Sequence, residues 1–215
     1  MNSPITKIDL FKNLLWPTCI YTVHWNLHSV YAEDIKKNID NWSENNVASE
    51  IASTVKTHLY ESGFNYFDQD FNPLNELERF CVTALAEVCK DINSEVWTKE
   101  RKYGVKITES WFHITKNHGH HDAHSHPMHS WSGIYYLDLG ETQIATKNGI
   151  NRFYAPFKSE YLDRGNQYLT NIWDVDPKNG MLVIFPSYIY HSALPYKGKI
   201  NRYVIAFNAR VEDVI

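Results

Sequence analysis

Histidine is the residue type with the most obvious chemistry in this chain, and it is crowded into one stretch. Seven of the eleven histidines fall between His113 and His129, within SWFHITKNHGHHDAHSHPMHSWSGIYYL. Neutral imidazole suits Fe(II), Zn and Cu, so a histidine loop held between two strands is a natural place for a metal ion. A histidine-rich run can also take up metal to no purpose, and a functional site needs one more ligand placed by the fold. His191, in VIFPSYIYHSALP, is the only histidine after residue 129. His124 and His126, at i and i+2, leave a strand end on the same side. With His191 they make a three-ligand set whose remaining positions are open, and open positions mean chemistry, whereas a structural site is normally closed by four protein ligands. A second register, His120 and Asp122 with His191, has the same spacing and supplies the carboxylate of a two-histidine, one-carboxylate triad. The residues alone leave both registers standing.

Eleven residues after His191 comes Arg202, inside NRYVIAFN. On a strand, Arg202, Val204, Ala206 and Asn208 share one face, opposite Tyr203, Ile205 and Phe207. Standing alone, such an arginine reads as half of a surface salt bridge. Among apolar strand residues and close to a metal site, its planar fork reads as a clamp for a carboxylate.

The elements that must carry these groups change character along the chain. After Pro17, alternating Cys19, Tyr21 and Val23 predict a strand, and residues 31–47 predict a helix with Ile35, Ile39 and Trp42 on one face. Glu33 and Asp34 sit at its expected start, where they suit the macrodipole. Residues 48–72 are polar, and Gly63 and Asn65 mark a loop. Asn72 suits an N-cap and Pro73 the first helical position. A stripe then runs through Leu74, Leu77, Cys81, Leu85, Val88, Ile92 and Val96, predicting a long helix packed on one side. From Tyr103 the texture turns to short β-branched and aromatic segments: YGVKITESWFHIT, SGIYYLDL, NRFYAPF, GMLVIFPS and NRYVIAFNARV. Turn-formers separate them at Asn117-His118-Gly119, Lys147-Asn148-Gly149 and Pro177-Lys178-Asn179-Gly180. Helices first and strands afterwards predict an α+β fold, a jelly roll with helices against one face. The whole of 1–215 reads as a single domain, with 1–102 a mainly helical buttress and 103–215 the jelly-roll core bearing the metal site.

Seven Trp, fourteen Tyr and ten Phe provide the bulky inward side chains such a roll needs. A net charge of −4 and the absence of a basic stripe give no signal for nucleic acid. No apolar run reaches the ~18 residues of a membrane span and no signal peptide is evident, so a cytoplasmic, soluble protein is expected. Cys19, Cys81 and Cys89 lack metal-ligand spacing, and the latter two fall on the long helix as ordinary core residues.

Taken in order, His-x-His-Pro, Ser-Gly-x-Tyr-Tyr-Leu, Phe-Pro-Ser-x-x-x-His and an arginine in a strand ending Ala-Phe-Asn resemble the 2-oxoglutarate/Fe(II)-dependent oxygenases. The nearest branch is a bacterial and phage one, whose opening LLWPTCIY also resembles. The likeness extends over about residues 11–210. It implies a double-stranded β-helix (jelly roll) with N-terminal helices packed on its larger sheet. It also selects the register His124, His126 and His191 as metal ligands and catalytic centre, with His126 standing where prolyl hydroxylases have an aspartate. Asp122 is then left to orient a ligating imidazole from outside.

The resemblance further implies a non-heme Fe(II)/2-oxoglutarate dioxygenase that hydroxylates an unidentified substrate while 2-oxoglutarate loses CO2 to become succinate. O2 is the oxidant and ascorbate a stimulant. The far carboxylate of 2-oxoglutarate would meet Arg202 and Tyr136, with Ser132 and Asn208 lining the cosubstrate site and Tyr135 turned to the opposite face. Trp131, Tyr188 and Tyr190 are expected at the substrate mouth, and 140–179 includes a lid or specificity loop. A small-molecule or peptidyl substrate fits this scheme, and a homodimer is compatible with it. Two rival readings have different consequences: a three-histidine cupin-type dioxygenase that needs no oxo acid, and a jelly roll that binds metal or ligand without turnover.

Overall fold

A computed structural model describes residues 18–49, 56–97, 102–157 and 171–213. The opening motif up to Pro17 and the central part of the expected lid, residues 158–170, lie outside the described residues. The elements are β1 (Tyr21–His24), α1 (His28–Asn45), β2 (Lys56–Glu61), α2 (Asn72–Ile92), β3 (Tyr103–His124), β4 (Trp131–Asp138), β5 (Asn151–Tyr154), β6 (Ile172–Asp174), β7 (Met181–Pro186), β8 (His191–Ala193) and β9 (Arg202–Asp213). The strands make one curled antiparallel sheet in the order β1-β7-β4-β9-β3-β8-β5-β6, with β2 added on β3. The fold is α+β, as expected.

Two apolar cores lie on opposite faces of the central strands. One joins Ile35 and Ile39 of α1 and Leu74, Leu77, Cys81, Leu85 and Val88 of α2 to Phe112, Tyr135, Tyr203, Ile205 and Phe207. The other, inside the roll, gathers Ile134, Tyr136, Phe153, Val183, Phe185 and Val204. Strands β4 and β7 are therefore covered on both sides. This explains why WSGIYYL and MLVIFP read as continuous apolar runs and not as alternating ones. Each fully buried leucine of α2 contributes roughly 1.5–3 kcal/mol by leaving water.

Several boundaries differ from expectation. Helix α1 begins at His28, so Glu33 and Asp34 sit beyond its first turn and no acidic residue meets its positive end. In α2 the N-cap is Phe71; Asn72 is already helical and its side chain makes no cap bond. The apolar stripe stops at Cys89, because Ile92 is 40% exposed and Val96, past the helix end, is 73% exposed. Alongside its two helices, the region expected as mainly helical supplies β1, the strand predicted after Pro17, to the sheet edge, and β2, which the sequence does not predict, to the neighbourhood of the histidines. The histidine stretch as far as His124 is the second half of a 22-residue strand and not a loop, and His126 and His129 follow in the connection to β4. Asn117-His118-Gly119, expected as a turn, is instead an irregularity in β3 where the pairing with β2 shifts around His58. His118 there has φ 66, and a Cβ on Gly119 would stand 2.6 Å from the His58 carbonyl oxygen. Only glycine lets the two strands approach that closely.

Candidate active site

Beyond the irregularity β3 leaves β9, which it pairs up to Thr115–Arg202, and pairs β8 instead, with His124 directly opposite His191. His126 follows in the turn after β3, its backbone N–H donating to the Ser187 carbonyl at 2.9 Å. The ladder and this tether bring the imidazoles of His124, His126 and His191 together, one ligand atom from each lying within 4.8 Å of the others. Ring centroids are 5.0, 4.4 and 5.2 Å apart for the three pairs. Cation-sized space between three imidazoles is the geometry a metal site needs.

Tautomers are set by backbone carbonyls, which can only accept. The Nδ1–H of His124 donates to the Asp122 carbonyl at 2.8 Å, and that of His191 to the Ile189 carbonyl at 3.2 Å. Each ring then offers Nε2 as its free lone pair, the form that binds metal. Burial pushes the pKa of all three rings down; His126 falls to about 3, helped by neighbouring His124 and His129. The cluster is therefore neutral near pH 7 and ready to ligate. His191 is held edge-on to Phe185 at 4.8 Å and stacked on Phe153 at 5.6 Å, which limits its rotation.

The alternative register does not converge. The Asp122 carboxylate is 55% exposed and 3.7 Å from His120 Nε2, and neither side chain belongs to the cluster with His191. Asp122 does orient the His124 imidazole, but through its backbone carbonyl; its carboxylate takes no part in that bond.

One cavity connects the imidazoles to Arg202, lined also by Trp111, His113, Thr115, His121 and Asn151. Arg202 is 2% exposed, donates through Nη2 to Asn151 Oδ1 at 2.9 Å, and lies 5.6 Å over the Tyr136 ring. No carboxylate pairs with it among the described residues, and burial lowers its pKa. Trp111 Nε1, Thr115 Oγ1 and Arg202 Nε are three buried polar atoms without a partner among the described residues, and all three residues line this cavity. A buried cation and buried donors left unsatisfied cost several kcal/mol unless a ligand completes them. The lining thus fits an acid whose carboxylate reaches Arg202 while its other end reaches a cation held by the imidazoles.

Tyr136 is fully buried inside the roll, and its hydroxyl donates to Asn151 Oδ1 at 3.1 Å, the same oxygen that Arg202 uses. Tyr135 faces the helices instead. Ser132 Oγ donates to Asn208 Oδ1 at 2.7 Å and lies 2.8 Å from Ser187 Oγ, while Asn208 Nδ2 donates to Glu109 at 2.8 Å. Ser132 reaches the cavity wall, but the polar atoms of this pair are engaged with each other across β4 and β9. Trp131 is not at a mouth: it is 8% exposed and packed in the helix-side core. Tyr188 and Tyr190 are exposed, at 58% and 55%.

Sequence reasoning missed Thr115, Asn151, and the buried pair in which His113 Nε2 meets Glu61 at 2.6 Å. Thr115 was findable, since the alternation that turns His113 inward turns Thr115 inward as well. Asn151 and Glu61 carry no local signal, because only the strand pairing brings Asn151 to the cavity and Glu61 to His113.

Residues 109–208 match the model of a family described as "putative 2OG-Fe(II) oxygenase". No curated protein sequence matches the chain. Among solved structures it is similar to a prolyl-4-hydroxylase of Pseudomonas putida, with 15% identity and a TM-score of 0.57 over 89% of this chain and 92% of that one. It is similar also to HygX of Streptomyces hygroscopicus with nickel and 2-oxoglutarate bound, at 11% identity and TM-score 0.55 over 90% and 83%. A third is SnoN, a non-heme α-ketoglutarate-dependent epimerase of nogalamycin biosynthesis, at 9% and 0.62 over 89% and 76%. At such identities these likenesses establish the fold, the double-stranded β-helix. The family match covers His124, His126 and His191 together with Arg202, so the residues brought together here lie within the stretch that is similar to that family.

Proposed function

We propose that this protein is a 2-oxoglutarate/Fe(II)-dependent oxygenase, a hydroxylase in which His124, His126 and His191 hold Fe(II), and Arg202 with Thr115 holds the distal carboxylate of 2-oxoglutarate. The observation that carries the reading is Arg202: a buried guanidinium with a free Nε and no carboxylate partner among the described residues, in the same cavity as three neutral imidazoles. Fe(II) and 2-oxoglutarate, when bound, supply activation of O2 coupled to decarboxylation of the oxo acid. The chain's own work is positional. His124 and His191 present Nε2 because Nδ1 is spent on backbone, and three protein ligands leave room for a chelating oxo acid and oxygen. Asn151 Oδ1 receives both the Arg202 Nη2–H and the Tyr136 O–H, which holds the fork in plane for a bidentate carboxylate. Phe153, Phe185 and Val204 keep water from the reacting end. We place the substrate, a small molecule or a peptidyl side chain, at the side bearing exposed Tyr188 and Tyr190. No helix among the described residues is long and apolar enough to cross a membrane, and the three cysteines are free, which suits a reducing cytoplasm.

The test is succinate formation from 2-oxoglutarate with Fe(II), ascorbate and O2, using purified protein. Turnover, uncoupled or with a substrate library, is expected. Oxygen uptake with no 2-oxoglutarate consumption would transfer the site to the three-histidine, oxo-acid-independent class. A companion measurement is Arg202→Ala: 2-oxoglutarate binding should weaken at least about 100-fold, the loss of a charge-assisted pair, with Fe(II) binding nearly unchanged.

A further inference from the structure

We propose that Glu61, His113 and His121 form a second metal site beside the three-histidine one, taking a first-row divalent cation. One ligand atom from each of these residues lies within 4.8 Å of the other two, and the side chains are 4%, 9% and 6% exposed. Metal bonds of about 2.0–2.2 Å hold neighbouring ligand atoms roughly 3–3.5 Å apart. Small side-chain rotations therefore convert the cluster into a coordination sphere. Its donors are two imidazoles and one carboxylate, a set that suits Fe(II), Mn(II) or Zn(II), and it contains the carboxylate that the three-histidine set lacks.

The backbone builds the cluster on purpose-made geometry. Glu61 of β2 and His113 of β3 are direct ladder partners, and Glu61 Oε2 lies 2.6 Å from His113 Nε2. The irregularity at 116–119 then returns β3 to the same wall, where His121 stands T-shaped to His113 with ring centroids 5.6 Å apart. Lys56 pairs with the other carboxylate oxygen, Oε1, so Oε2 stays on the histidine side. The two clusters adjoin: His113 and His121 line the same cavity as the three histidines, and the His121 and His124 rings stack at 4.0 Å. The second site is defined by its own three residues and stands independently of what the first one does.

The test is anaerobic titration of the metal-free full chain with Co(II) alone, followed by its visible absorption, with elemental analysis after desalting. Wild type should bind two equivalents. Glu61→Gln and His121→Ala should each bind one, with far-UV circular dichroism unchanged, and His191→Ala should lose the other equivalent with its distinct spectrum. A single equivalent in wild type, or two retained in Glu61→Gln, overturns the proposal. If Glu61→Gln does not fold, His113→Gln is read by the same criteria.

Discussion

At the scale of single residues, the cavity is distinguished by what its polar atoms lack. Thr115 and Arg202 are cross-strand partners in β3 and β9, each with an unsatisfied polar atom facing the same space. If both hold one carboxylate, Thr115→Val removes a single hydrogen bond to a charged group, worth about 1.5–3 kcal/mol. The expected result is a 10- to 100-fold rise in the Kd for 2-oxoglutarate by calorimetry, with thermal stability unchanged or raised, because an orphan hydroxyl leaves the core. A stability loss with unaltered Kd would place the hydroxyl in the fold's service only. Asn151 acts through Arg202 and Tyr136, so Asn151→Ala should weaken the oxo acid and leave metal stoichiometry alone.

Strand irregularity and close strand approach decide the geometry at the scale of elements. Gly133 of β4 faces Phe207 of β9, whose ring atoms lie 2.3 Å from where a Cβ would stand. Gly133→Ala must push that ring out of the helix-side core, and overpacking of this kind costs about 1–3 kcal/mol. Chemical denaturation is expected to show this loss while the ligand set stays intact. Gly119→Ala acts differently. Its Cβ would meet the His58 carbonyl and Thr115 Cγ2, both at 2.6 Å, at the point where β3 changes direction. That variant should lose metal affinity as well as stability, since His121 and His124 follow directly. Retained metal affinity would show that the bend tolerates relaxation.

For the molecule as a whole, burying several neutral imidazoles ties stability to pH. The folded-state pKa values of His124, His126 and His191 lie below the ordinary 6.5, that of His126 at about 3. The unfolded chain therefore binds more protons once the pH drops below about 6.5. The stability of the metal-free protein should be full above that value and decline steadily as pH falls from 6.5 towards 3. Bound metal should shift the decline to lower pH, because a proton must then displace a ligand bond. Urea midpoints measured at several pH values, with and without Co(II), check this; a flat apo profile between pH 6.5 and 4 would contradict the neutral cluster. On the helix side, Leu77→Ala opens a cavity between α2 and the sheet and should cost about 2–5 kcal/mol at every pH.

Much of this protein is legible from local pattern. The 3.6-residue stripe of α2, the β-rich texture after Tyr103, and the alternation that parts Arg202, Val204 and Ala206 from Tyr203, Ile205 and Phe207 are near-neighbour properties of the chain. His191 and Arg202 stand out because histidine and arginine are rare in apolar strands. What the linear order does not carry is pairing. The inward turn of Glu61 from a stretch with no helical or strand signature depends on its ladder with β3. The bulge at Gly119 looks like a turn until β2 is found lying across it. Asp122 falls outside the cluster because its carboxylate does not converge with His191, a property that spacing cannot express. Ligand chemistry follows from residue types, whereas the choice among seven crowded histidines depends on which imidazoles the strand crossing brings within reach of His191.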